Sequence, residues 1–189
     1  MGREFWNAVE ENPIIAAVKS MDDLEQCCKL EDIRVVFILF GDICSIGDIV
    51  KKIKAAGKIA MVHIDLIGGL SPREIAVDYL KNNTDTDGII TTKPSLIKKA
   101  KEMSMYTVLR VFLLDSMAFE NIRQQQHMIK PDFIEVLPGV MPKIIAQISH
   151  SVKVPIIAGG LITDKEDVMG ALSAGAMAVS STNHKVWNM

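Results

Sequence analysis

The chain has 189 residues, 49% hydrophobic, 23% charged and 5% aromatic, with a formal net charge of -2. This composition excludes a mainly disordered chain and a polybasic nucleic-acid carpet, and the length suits a single domain, 1–189, with a substantial core. The opening MGREFWNAVEEN has no signal-like apolar run, and no later stretch reaches the ~20 apolar residues of a membrane span.

In chain order, Gly2 invites N-myristoylation, but Trp6 stands where that motif wants Ser or Thr. Apolar runs rich in Val and Ile, bounded by Gly, Pro, Asp or Ser, predict strands at 13–18, 35–41, 59–66, 88–92, 106–115, 133–139, 154–161 and 176–182. Helical patterns alternate with them. Ser20 caps MDDLEQCCKL, whose early acids suit the positive end of a helix dipole, and Gly57 closes SIGDIVKKIKAAG. Ser71-Pro72-Arg73-Glu74 reads as a capping box with Pro at its first helical position. Phe119, Ile122, Gln126 and Ile129 share a stripe, and DKEDVMGALSAG runs from Asp164 to Gly175. The cysteines, Cys27, Cys28 and Cys44, make neither a disulfide framework nor a zinc spacing, which fits core filling in a reducing cytoplasm.

Eight strands with seven clear intervening helices predict an α/β fold, a compact (β/α)8 TIM-type barrel with short helices. An open flavodoxin-like sheet leaves too many segments unplaced. Only seven residues follow Thr182, so the last helix is stunted. Strands eight and one then need cover, either from Arg3–Glu11 through Phe5, Trp6 and Val9 or from the second subunit of a homodimer.

Pleat alternation assigns side chains to faces. In 59–66 the apolar parity Ala60, Val62, Ile64, Leu66 packs under helices, which turns His63 and Asp65 inward. The same argument turns Arg110, Glu135, Ile90 and Thr92 inward. Arg110 and Glu135 also fit a purely structural ion pair, and His63 a satisfied core histidine. Asp65, before Ile67-Gly68-Gly69, and Lys93, after Thr92, belong to the carboxyl rim, where barrels of this type bind ligands. Lys93 also fits a solvated helix start.

The most specific stretch is VPIIAGGLITDKEDVMGALSAGAMAVSSTN. Glycines at a strand end let backbone N–H groups approach an anion, and small hydroxyl residues add donors. Gly159, Gly160, Leu161, Ser180, Ser181 and Thr182 therefore predict a phosphate grip after strands seven and eight. Opposite it, Asp65, Thr92, Lys93, Arg110 and Glu135 suit the hydroxyls of a small polyol or sugar phosphate. No catalytic constellation emerges. His63 and Asp65 approach from one side, and an aldolase lysine would need burial that Lys93 lacks. No metal-ligand spacing is present either.

IITTKPS, DFIEVLPG, VHIDLIGGLSPREIAVDYL and the glycine-rich carboxyl-terminal block resemble the glycerol uptake operon antiterminator regulatory proteins of Gram-positive bacteria, over about 13–187. The resemblance implies a cytoplasmic transcription antiterminator that is not an enzyme, responds to the effector glycerol 3-phosphate, needs no cofactor, and binds the leader mRNA of a glycerol-utilisation operon. The other reading is a barrel enzyme acting on a triose- or sugar-phosphate, an epimerase, isomerase or glycerol-phosphate transferase. For RNA, the electrostatic candidates are Lys51, Lys54 and Lys58 on one flank, with Lys98 and Lys101 on a later helix. Each also fits an ordinary solvated lysine face.

Overall fold

The computed structural model describes residues 3–189, so Gly2 lies outside the described residues. Eight parallel strands close into a barrel in chain order. They are β1 Ile14–Val18, β2 Val35–Ile38, β3 Ile59–His63, β4 Gly88–Thr91, β5 Tyr106–Phe112, β6 Phe133–Leu137, β7 Ile156–Gly159 and β8 Ala178–Ser181. Helix α1, Glu4–Glu11, precedes β1. Each strand is then followed by one of α2 Met21–Lys29, α3 Ile46–Ala55, α4 Glu74–Asn83, α5 Pro94–Glu102, α6 Ser116–Ile129, α7 Pro142–Ser151, α8 Lys165–Ser173 and α9 His184–Trp187.

Local chemistry sets several helix ends. Ser20 Oγ accepts from the Asp23 N–H, and the Asp164 carboxylate accepts from the Asp167 N–H. The expected cap at Ser71 is not made: α4 begins at Glu74, after an extended Arg73. Gln126, the polar break in its stripe, is buried because its amide bridges the Ser151 carbonyl and the Lys153 N–H.

The alternation assigned from sequence holds within the strands. Ala60, Val62, Leu109, Ile134 and Val136 pack under helices, whereas Met61, Ile90, Val108 and Phe133 fill the barrel. Pairing registers, combined with the tilt of barrel strands, sort the inward side chains into layers contributed by alternate strands. Ile15, Met61, Val108 and Ile157 form an apolar middle layer. Phe37, Ile90, Glu135 and Ser180 come next. Ala17, His63, Arg110 and Gly159 form the uppermost. Two of those four residues have almost no side chain, so the top of the barrel cannot fill itself.

The floor is closed differently. Phe5, Ala8 and Val9 of α1 are buried in the same cluster as Ile15, Met61 and Phe133, and the Phe5 and Phe133 rings lie 4.7 Å apart. Helix α1 therefore plugs the amino-terminal end instead of covering β8 and β1. Those strands are covered by the short α9, whose Val186 and Trp187 join the outer core with Ile14, Ala16 and Val179. Trp187 donates its indole N–H to the Ser181 carbonyl at 2.7 Å, which anchors the helix on β8. One large aromatic does the work of the missing turns, and the argument for a second subunit from bare strands falls away.

Candidate ligand site at the barrel mouth

Above the small residues of the top layer a cavity of about 760 Å³ opens at the carboxyl ends of the strands. It is lined by Ala17, Arg110, Glu135, Gly160, Leu161, Ser180, Ser181 and Thr182, all but Ala17 among the residues expected there, together with Lys19, Asp23, Leu39, Leu137 and residues 162–163 and 183–185.

At the end of β7 the chain turns through two consecutive left-handed residues, Gly160 at φ 75° and Leu161 at φ 63°. Leu161 gains nothing by burial, since its side chain is largely exposed, and a non-glycine residue there costs roughly 1–2 kcal/mol. The N–H groups of Gly160, Leu161 and Thr182 have no protein hydrogen-bond partner among the described residues. Three unpartnered amides on two adjacent strand ends suit an anion. The hydroxyls expected to help them are committed elsewhere. Ser181 donates to the Ile162 carbonyl and accepts from the Asn183 N–H, tying the two loops together, and Ser180 donates to Glu135 at 2.6 Å. Gly159 is needed for packing: a Cβ there would lie 2.6 Å from both Glu135 Oε1 and Ser180 Oγ.

Arg110 and Glu135 meet as the parity argument expected. Arg110 Nε donates to Glu135 Oε2 at 2.6 Å, and the Glu135 side chain is wholly buried. Both carboxylate oxygens are thus occupied, one by Arg110 and one by Ser180. Such a pair offsets its desolvation only because its geometry is complete.

Asp65, Thr92 and Lys93 lie apart from this cavity. β3 ends at His63 and gives way to a 3₁₀ turn, Ile64–Leu66, so the alternation that would have turned Asp65 inward stops one residue earlier. Its carboxylate accepts from Thr91 Oγ1 at 2.9 Å, from the Thr92 N–H at 2.8 Å and from Lys93 Nζ at 3.5 Å. Burial pushes its pKa up, but the Thr92 amide, the Thr91 hydroxyl and the nearby His63 and Lys93 outweigh that and hold it below the usual carboxylate value. Asp65 is a clasp between β3 and β4.

Sequence reasoning missed two features here. Thr91 completes the clasp, and its hydroxyl could be placed only once the end of β3 was known. At the mouth, His184 Nε2 lies 2.7 Å from Asp23 Oδ1, joining residues 161 positions apart that only barrel closure brings together. With Asp23 beside His184 and Glu135 on Arg110, Lys19 and Lys185 are left without a salt-bridge partner among the described residues. The mouth is therefore electropositive, a field that draws anions inward.

The lysines expected to face RNA do not share a flank. Lys58 lies beyond α3, is buried, and donates to the Leu30 and Ile33 carbonyls. Lys54 grips Asp87 through both oxygens at 2.7 Å. Lys101 donates to the Lys130 carbonyl. Lys51 and Lys98 are exposed, Lys51 with only a loose 4.0 Å approach to Asp48. Among the described residues no helix is long and apolar enough to cross a membrane, and no group of three or more His, Cys, Asp or Glu is placed to hold a metal ion.

The chain is 43% identical over 181 residues to the Escherichia coli K12 protein YgcP, spanning 96% of this chain and 94% of that one. The crystal structure of a glycerol uptake operon antiterminator regulatory protein from Listeria monocytogenes superposes with a TM-score of 0.89 at 33% identity, over 94% of this chain and 95% of the other. A glycerol uptake operon antiterminator-related protein from Thermotoga maritima gives 0.81, also at 33% identity, over 93% and 98%. The sequence profile of one family matches residues 14–187, and the chain belongs to that family, the glycerol-3-phosphate responsive antiterminators.

Proposed function

We propose that the chain senses glycerol 3-phosphate in the cytoplasm and, when liganded, binds the leader mRNA of a glycerol-utilisation operon so that its terminator does not form. The observation that carries the ligand half is the set of unpartnered N–H groups at Gly160, Leu161 and Thr182 around an electropositive mouth. A phosphate would satisfy all three, with Gly159, Ser180 and Ser181 shaping the loops beneath it. The glycerol hydroxyls would then reach toward Arg110, whose Nε alone is committed to Glu135. In this reading Glu135 holds Arg110 in place, and Asp65, Thr92 and Lys93 brace the far rim. No cofactor beyond the effector is required.

The RNA half draws its support from the family. Of the five lysines expected to face RNA, Lys51 and Lys98 remain exposed to meet RNA phosphates, and Lys54, Lys58 and Lys101 serve the fold. An electrophoretic shift of the leader RNA, run with and without glycerol 3-phosphate, tests the proposal. Retardation that strengthens with the effector is expected, and no retardation in either condition removes RNA from the account.

A second reading, an enzyme acting on a triose- or sugar-phosphate, is favoured by one feature, the His184–Asp23 pair at the mouth. Turnover of glycerol 3-phosphate or a triose phosphate would select it. Against it, both oxygens of Glu135 and the carboxylate of Asp65 are already hydrogen-bonded within the protein.

A further inference from the structure

Helix α6 is the longest among the described residues, with 14 residues, and its inner face is closed by Ile122, Gln126 and Ile129. Met117, Asn121, Gln124 and Met128 lie on the opposite side, within about 60° of arc at 3.6 residues per turn, and all four are exposed. Met117 is 71% exposed and Met128 69%. The outer stripe of a helix is normally polar, and adaptable, polarisable methionine is a residue of contact surfaces. No other helix among the described residues exposes two large apolar side chains. The stripe is also palindromic. Read backwards about a point between Ile122 and Arg123, Met117 falls on Met128 and Asn121 on Gln124, while Asp115 at one cap falls on Lys130 at the other.

We propose that this stripe is the contact of a two-fold homodimer, in which α6 of one copy lies antiparallel to α6 of a second. A two-fold contact sets one patch against itself, so that where one residue meets another, the reverse contact is made as well. With the axis between Ile122 and Arg123, a methionine pair closes each end of the contact. In its middle the amides of Asn121 and Gln124, each both donor and acceptor, pair across it. The charges match too. Asp115 comes level with Lys130 of the second copy, and Glu120 lies on the flank that receives His127. The stripe itself carries no cation to meet RNA phosphates, and an unrelated protein has no need of the palindrome. No residue of α6 lines the mouth, so both mouths stay open, and the inference stands apart from the reading of the ligand site. The contact runs along a single helix about 21 Å long, at the low end of specific interfaces, so the dimer exchanges with monomer at micromolar concentrations.

Sedimentation equilibrium of the full chain, over a concentration series spanning the micromolar range, tests the proposal. A monomer of 20.8 kDa in exchange with a species of twice that mass is expected. Met117→Lys combined with Met128→Lys should weaken the association by about a hundredfold or more, because the two-fold axis counts each change twice. Both positions are exposed and lysine is a good helix former, so the fold is kept. A cross-link then tests the register. Met117→Cys combined with Met128→Cys should form a disulfide-linked dimer on mild oxidation, and either change alone should not. The two cysteines lie about 16 Å apart along their own helix, beyond the ~7 Å that a disulfide can span, so they cannot bridge within one chain. The single variants carry the same native cysteines and report any other route to a cross-link. A strict monomer at every concentration would overturn the proposal and leave the stripe to a different partner. A dimer indifferent to the paired lysines, or single cysteine variants that cross-link as well as the double one, would overturn it by placing the contact elsewhere or in another register.

Discussion

At the ends of β3 and β4, the amide of Thr92 and the hydroxyl of Thr91 point at the carboxylate of Asp65, whereas at the ends of β7 and β8 the amides of Gly160, Leu161 and Thr182 point at no protein group. The two rims are made of similar material. Each has a glycine pair (Gly68–Gly69, Gly159–Gly160) and small hydroxyl residues, and each reads from composition as a ligand rim. What separates them is one side chain. Asp65 is an anion supplied by the chain itself, seated against strand-end donors that an external anion would otherwise satisfy. A rim with its own carboxylate is finished when the protein folds, and a rim without one has a use for phosphate.

Breaking either side of this contrast has consequences that differ in kind. The largest expected effect lies between the two rims, at the Arg110–Glu135 pair. Glu135→Ala leaves Arg110 buried without its partner and should cost about 3–5 kcal/mol in urea unfolding. Asp65→Ala frees the Thr91 hydroxyl and the Thr92 amide at once, and a loss of about 2 kcal/mol is expected by the same measurement.

Acidification sharpens the contrast further. His63 is held neutral by the fold, with its pKa near 4, while in the unfolded chain it takes up a proton near the ordinary value of 6.5. Stability is therefore full above about pH 6.5 and declines as the pH falls from there toward 4. Asp65 adds a separate decline further down, as the pH drops below the ordinary carboxylate value of 3.8 and through its own lower one. Urea midpoints followed from pH 8 to 2 should show the first decline flattened in His63→Leu and the second weakened in Asp65→Ala. The smallest effect belongs to the RNA proposal. Lys51→Glu should lower the dependence of leader-RNA affinity on salt by about one charge contact, with glycerol 3-phosphate binding unchanged.

The eight strands were legible because strands buried on both faces must be nearly continuous apolar runs, as Val35–Ile38 and Ile59–His63 are. Their carboxyl ends were not. Sequence carries β2 on to Gly41 and β3 on to Leu66, since apolar residues persist past the last ladder hydrogen bond. That small overrun decided the fate of Asp65, because the 3₁₀ turn beginning at Ile64 breaks the alternation and sends the carboxylate to β4. Arg110 and Glu135, well inside their strands, could be paired from parity alone, and the structure joins them. Lys58 looked like one of a row of exposed lysines, but the row ends with α3 at Ala55 and the next turn folds Lys58 under Leu30 and Ile33. The plug made by α1 was hidden for another reason. Its amphipathic pattern says that Phe5 and Val9 are buried, and nothing local says against which surface.

The central claim is that the anion site belongs to β7 and β8 and not to β3 and β4, and a paired calorimetric titration with glycerol 3-phosphate addresses it directly. Gly160→Glu places a carboxylate among the unpartnered amides, at a position where the left-handed φ and Leu137, 3.2 Å from a new Cβ, leave the side chain little room to turn aside. With circular dichroism confirming that both proteins fold, binding should be abolished in Gly160→Glu and retained near the unaltered affinity in Asp65→Ala. The reverse pattern, binding kept in Gly160→Glu and lost in Asp65→Ala, would contradict the account.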